Sequence, residues 1–277
     1  MNHLLICTCL FSIIWACEPS GSISEASTVA PEPTELVVSQ PFQVINPEGK
    51  TLETRFNPPP GYQRKALDSN SFGAYLRQLP LKEHGAYVKY YDGQYKRPDG
   101  VYTAVVDQPI SARDLQQCAD AVMRLRGEYL YAQKKYEDIH FNFLSDGKPR
   151  YFLDRADAQR SYKSFLKYMD YIFSYANTGS LHKELKGVSF EEMQIGDVFI
   201  VTGRPYGHAI IVVDMAENEA GKKLFMLAQS YMPAQETQIL INPNDSEISP
   251  WYSSDFAGSL STPEWRFEKG DLRRFAD

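Results

Sequence analysis

Gly196-Asp-Val-Phe-Ile-Val-Thr-Gly-Arg-Pro-Tyr-Gly-His-Ala-Ile-Ile-Val-Val-Asp214 carries two short apolar runs, Val198–Val201 and Ala209–Val213, on either side of a Gly/Pro turn. Runs of this length, rich in branched side chains and bounded by turn formers, read as strands because such side chains pack well on a pleated surface. The pattern continues downstream with Leu224–Ala228 and Gln238–Ile241, and Trp265–Phe267 adds a fifth segment. The connections are too short for crossover helices, so neighbouring strands must run antiparallel.

Toward the N-terminus the periodicity changes. Phe72, Tyr75, Leu76 and Leu79 share a helical face that Asn70 or Ser71 can cap and Pro80 stops. Val88–Tyr95 reads as a hairpin around Asp92-Gly93, and Val101–Asp107 as a strand. The strongest helix carries Leu115, Cys118, Ala119, Val122, Met123 and Tyr129 at helical spacing. Either Ser111 with Asp114, or Asp114 with Gln117, forms a capping box for it. A second long helix buries Tyr162, Phe165, Leu166, Met169, Ile172 and Phe173. A helical first half followed by an antiparallel sheet is an α+β fold.

Outward from this domain, the first seventeen residues carry no Lys, Arg, Asp or Glu, and Leu4–Trp15 is almost continuously apolar. That run is shorter than the ~20 residues of a transmembrane helix and has the length of a signal-peptide core. Ala16-Cys17 closes it and resembles the bacterial lipobox, which implies lipidation of Cys17. Residues 18–40 are rich in Glu, Pro, Ser, Thr and Ala and cannot bury enough surface to order themselves. They read as a tether reaching about 75 Å when extended, with residues 41–277 as a single globular α+β domain. The formal charge of −6 is mixed along the chain. No basic stripe suggests nucleic acid, and membrane contact is expected through the lipid anchor only. The expected location is the cell envelope, on the periplasmic or surface side.

Of four cysteines, only Cys17 and Cys118 remain if processing cuts before Cys17, so the domain is expected to fold without an internal disulfide. A lone thiol with a His elsewhere is a candidate nucleophile. Cys118 also lies on the apolar stripe of its helix, where free Cys is often simply buried. Under either cap it falls at least a full turn in, too deep for the helix dipole to activate it strongly. His208 opens an apolar strand directly after Arg204-Pro-Tyr-Gly207, a position suited to holding an imidazole at a cleft mouth. Gln229 and Ser230 end the next apolar run, and Gln229 can orient that ring. His84, His140 and His182 read as surface residues. No metal and no cofactor are expected: close ligand spacings, a phosphate loop and a dinucleotide fingerprint are all missing from the sequence.

Two resemblances follow from particular segments. Ser71-Phe-Gly-Ala-Tyr-Leu-Arg-Gln-Leu-Pro80, Gln117-Cys-Ala-Asp-Ala-Val-Met-Arg-Leu-Arg126, Gly207-His-Ala-Ile-Ile-Val-Val-Asp214, Ala228-Gln-Ser-Tyr-Met-Pro233 and Thr262-Pro-Glu-Trp265 closely resemble a family of bacterial envelope proteins known as domain of unknown function 4846. More distantly, Gly196-Asp197, a strand, a turn and His208 resemble the core of NlpC/P60-type papain-like thiol hydrolases. Their order of Cys on an earlier helix, His on a strand and a polar residue on the next strand is matched by Cys118, His208 and Gln229. This likeness implies a papain-like fold and hydrolysis of peptide or amide bonds, with peptidoglycan stem peptides as the available substrate and partner. A cleft with a Cys118–His208 ion pair would hold the thiol below its ordinary pKa of ~8.5. The alternative is a non-catalytic envelope module that binds glycan or a partner protein through its aromatic turns.

Overall fold

The computed structural model describes residues 42–97, 100–155 and 159–276. The leader 1–17 with Cys17, and the tether 18–40, lie outside the described residues. The chain runs through α1 (Leu52–Arg55), β1 (Tyr62–Arg64), α2 (Phe72–Arg77), β2 (Tyr102–Val105), α3 (Cys118–Ala132), β3 (His140–Asn142), β4 (Pro149–Tyr151), α4 (Tyr162–Phe173) and α5 (Thr178–Glu184). Beyond α5 come only strands and short 3-10 turns: β5 (Lys186–Gly187), β6 (Val198–Val201), β7 (His208–Asn218), β8 (Lys223–Gln229), β9 (Gln238–Leu240), β10 (Tyr252–Ser253), β11 (Leu260–Ser261), β12 (Arg266–Phe267) and β13 (Leu272–Arg274). The α+β class and the antiparallel second half are as expected.

The main sheet has the order β2-β9-β8-β7-β6-β13-β5, with β1 paired to β7 and β10 to β8. All its pairings are antiparallel. The first half is therefore less purely helical than its periodicity suggests, since β1 and β2 both enter this sheet. Val88–Tyr95 keeps its turn but pairs only through single bridges, Lys89 with Tyr95 and Tyr90 with Gln235. β7 is the longest strand because two neighbours share one flank. β6 pairs with its opening residues, Val201 with His208, and β1 with its end, Tyr62 with Asn218.

Alternation along β7 separates two cores. Ala209, Ile211 and Val213 face α3 within the larger apolar cluster. Ile210 and Val212 face the other way, onto Phe225, Leu227 and Phe267. The α3 helix packs on β7 and is buried from Cys118 to Leu130. Its charges are consequently paired inside the fold: Arg124 Nε donates to Glu128 Oε1 at 2.7 Å, and the Tyr162 hydroxyl donates to the same oxygen.

The start of α3 corrects the expected cap. Neither Ser111 nor Asp114 opens the helix. Gln117 is the N-cap, and Cys118 is the first helical residue. Asp114 is claimed by the sheet side, where its Oδ1 accepts the Ala234 amide at 2.7 Å. Ser111 is similarly spent on Asp170, through a hydroxyl contact of 3.1 Å. Asp120 Oδ2 accepts the Gln117 amide instead. His140 and His182 are half-buried rather than exposed, and the His140 ring packs against Tyr151 at 4.8 Å.

Candidate functional site

Placing Cys118 at the first residue of α3 brings its thiol to the end of the sheet. The sulfur lies 3.7 Å from Thr178 Oγ1, at the first residue of α5. The backbone amides of Ala119 and Ala209 come within hydrogen-bonding reach of it. Ala209 follows His208, so the helix end abuts the opening of β7. Gly207 makes this approach possible. A side chain there would collide with the Val201 carbonyl and stand 3.0 Å from Thr178 Cγ2.

His208 is fully buried. Its Nε2 bonds Gln229 Oε1 at 2.9 Å. The ring packs against Tyr231 at 5.1 Å, Trp265 at 5.2 Å and Phe267 at 6.0 Å between centroids. By strand alternation His208 belongs to the face opposite α3, whereas the Cys118 thiol lies in the apolar cluster on the α3 side. No hydrogen bond joins them, and His208 Nδ1 is buried without a partner. The Tyr231 ring lies beside the imidazole, and its phenol is pushed up by burial, by Glu264 and by the charge Cys118 would carry.

Burial dominates the electrostatics. It pushes the Cys118 thiol above its ordinary value, against the smaller opposing effect of the Thr178 hydroxyl. It lowers His208 to about 4, although the bond to Gln229 works the other way. The resting pair near pH 7 is thus neutral thiol and neutral imidazole, and the expected ion pair is not formed. The helix dipole favours a thiolate at this position, but desolvation outweighs it. Asp120, in the same helical turn, is raised to about 8 by burial.

Sequence reasoning missed several neighbours. Gln116 Nε2 and Asp120 Oδ1 flank Cys118 in the chain, and both are buried without partners. Buried polar groups are nearly always paired, and each exception is costly. Glu264 receives the Gln229 amide. Gln235, Glu236 and Thr237, just before the strand that opens at Gln238, are buried together with Gln238, Gln229 and Ser230. The usable signal is the pairing of Gln229 with Gln238 across β8 and β9, which continues a period-2 pattern into polar residues. The Ser230 hydroxyl donates to Gln235 O at 2.6 Å, with Gln116 O 3.2 Å away.

A cavity of about 1450 Å³ lies elsewhere, by Phe72, Arg126, Tyr129 and Tyr151, and includes none of Cys118, His208 and Gln229. Among the described residues no three His, Cys, Asp or Glu side chains gather as a metal site would, and no helix is long and apolar enough to cross a membrane.

Fold and site together define a mixed α+β protein with a buried Cys, His and Gln constellation at one end of an antiparallel sheet. The chain belongs to the family described as domain of unknown function 4846, whose model matches residues 52–154 and 145–274. No curated protein and no solved structure matches it.

Proposed function

We propose that the protein is a papain-like thiol hydrolase of the bacterial cell envelope, related to the NlpC/P60 type, that cuts peptide or amide bonds such as those of peptidoglycan stem peptides. One observation carries this reading: a helix-opening Cys118 abuts the strand of His208, whose Nε2 is held by Gln229 while Nδ1 has no partner. Because the pair rests neutral, Cys118 Sγ would attack the carbonyl carbon as its proton passes to His208 Nδ1. The C–N bond then breaks, and the departing amine takes that proton, leaving a thioester. Water, deprotonated by the same nitrogen, hydrolyses the thioester and restores the thiol. Lipidation of Cys17 would tether the domain to a membrane, with a mature chain beginning at acylated Cys17.

The second reading, a non-catalytic module for glycan or a protein partner, is favoured by one fact. Cys118 is only 5% exposed, as a core thiol would be.

Purified protein incubated with muropeptides tests the two. The hydrolase reading expects cleavage that Cys118→Ala abolishes and His208→Ala reduces by roughly 10²–10⁴-fold. It also expects native-state alkylation of Cys118 that slows in His208→Ala. Labelling that needs denaturant, together with no cleavage of muropeptides, would overturn it in favour of the binding module.

A further inference from the structure

The turn Thr262-Pro-Glu-Trp265 joins β11 to β12. The Thr262 amide donates to Trp265 O at 2.9 Å, and the Trp265 amide donates to Thr262 Oγ1 at 3.2 Å. This closed turn delivers two adjacent side chains toward one imidazole. Trp265 covers the His208 ring at 5.2 Å. Glu264 Oε2 accepts the Gln229 side-chain amide, and its other oxygen lies 3.7 Å from the ammonium of buried Lys96.

The chemistry of these groups gives the chain of bonds a direction. A carboxylate accepts hydrogen bonds and cannot donate them, whereas a carboxamide has one donating and one accepting end. Glu264 therefore draws the NH₂ of Gln229 to itself and leaves Oε1 for His208. An oxygen there requires a proton on His208 Nε2, and a neutral ring protonated at Nε2 carries its lone pair on Nδ1. Nδ1 is the buried atom without a partner. We infer that Glu264 is a positioning residue which, through Gln229, holds His208 in the Nε2–H tautomer with the lone pair on Nδ1. Gln229 by itself has no such preference. Turned over, it would donate to Nε2 and stabilise the Nδ1–H ring, which cannot take a proton from Cys118. The purpose assigned to the tautomer rests on the hydrolase reading, but the tautomer itself does not.

Side-chain nitrogen-15 spectra of His208 in the full domain test the inference, recorded for the parent, Glu264→Gln and Glu264→Ala, each also in a Cys118→Ala background. The parent should be predominantly Nε2–H. Glu264→Gln keeps the shape of the site but lets both amides turn, and should raise the Nδ1–H to Nε2–H ratio by roughly fivefold, the scale of one net hydrogen bond. With muropeptide substrate, kcat should fall only in proportion to the lost Nε2–H fraction while KM holds. A parent ring protonated on Nδ1, or an unchanged ratio in a folded Glu264→Gln, overturns the inference. A ratio that shifts as expected in a protein that hydrolyses nothing supports the positioning role and ends the hydrolase reading instead.

Discussion

Asp214 and His208 occupy the same strand, β7, and both are fully buried, yet their surroundings are completed differently. Asp214 Oδ1 accepts Arg77 Nε and the Met215 amide, each at 2.8 Å. Its Oδ2 accepts Arg64 Nε, and the two guanidinium groups continue to the Phe56 and Lys65 carbonyls. At the other end of β7, His208 Nδ1 has no partner, and neither have Gln116 Nε2 and Asp120 Oδ1 on either side of Cys118 in the chain. One cluster closes on itself and ties α2 and β1 to the sheet. The other leaves buried polar atoms without partners beside a thiol, each at a cost in stability.

If that contrast is sound, the largest effect belongs to the closed cluster. Asp214→Ala strands the buried Arg77 and the half-buried Arg64 without their counter-charge and should cost about 3–5 kcal/mol, read as a lower urea midpoint. A loss below about 1 kcal/mol would erase the distinction between the two ends of β7.

A smaller and pH-dependent effect marks the open cluster. His208 is lowered to about 4 in the folded chain, against ~6.5 when unfolded. Above pH 6.5 the ring is neutral in both states, and its contribution is fully present. As pH falls from 6.5 toward 4, only the unfolded chain takes up the proton, and about 3 kcal/mol of stability is lost. Asp120 and Glu184, both raised by burial, act with the opposite sign, so the comparison must be a difference. Unfolding of the parent and His208→Gln across pH 4–7.5 should show the parent losing ground at the acid end. Parallel curves would mean the imidazole is solvated.

The smallest expected effect sharpens the picture at the thiol. Thr178→Val keeps the shape of the residue that opens α5 but removes the hydroxyl 3.7 Å from the sulfur. Stability should change by less than about 1 kcal/mol, while the pH midpoint for alkylation of Cys118 moves upward. A downward move would show that the hydroxyl does not stabilise the thiolate.

The candidate residues came from local patterns, and their surroundings did not. Cys118 could be named as the domain's lone thiol, His208 as the opening of a strand after a turn, and Gln229 as the close of the following strand. Glu264 could not, because nothing near Thr262-Pro-Glu-Trp265 in the chain indicates that its carboxylate meets a side chain on β8. The same limit hid the buried run Gln235–Gln238, whose polarity reads as solvent contact until Gln229 is seen beside it.

Local physics was enough for the antiparallel second half. A strand announces itself through side-chain alternation and turn residues within a few positions, and Val198–Val201, Ala209–Val213 and Leu224–Ala228 all carry that signal. The start of α3 was a different kind of question. Ser111 and Asp114 were both competent caps in isolation, and neither could be set aside without knowing which polar partners the rest of the chain would bring. The Ala234 amide takes Asp114 and Asp170 takes Ser111, the N-cap position falls to Gln117, and the thiol moves from a full turn or more inside the helix to its first residue. Tertiary hydrogen bonds decided that, because a buried amide must find an acceptor wherever one is available.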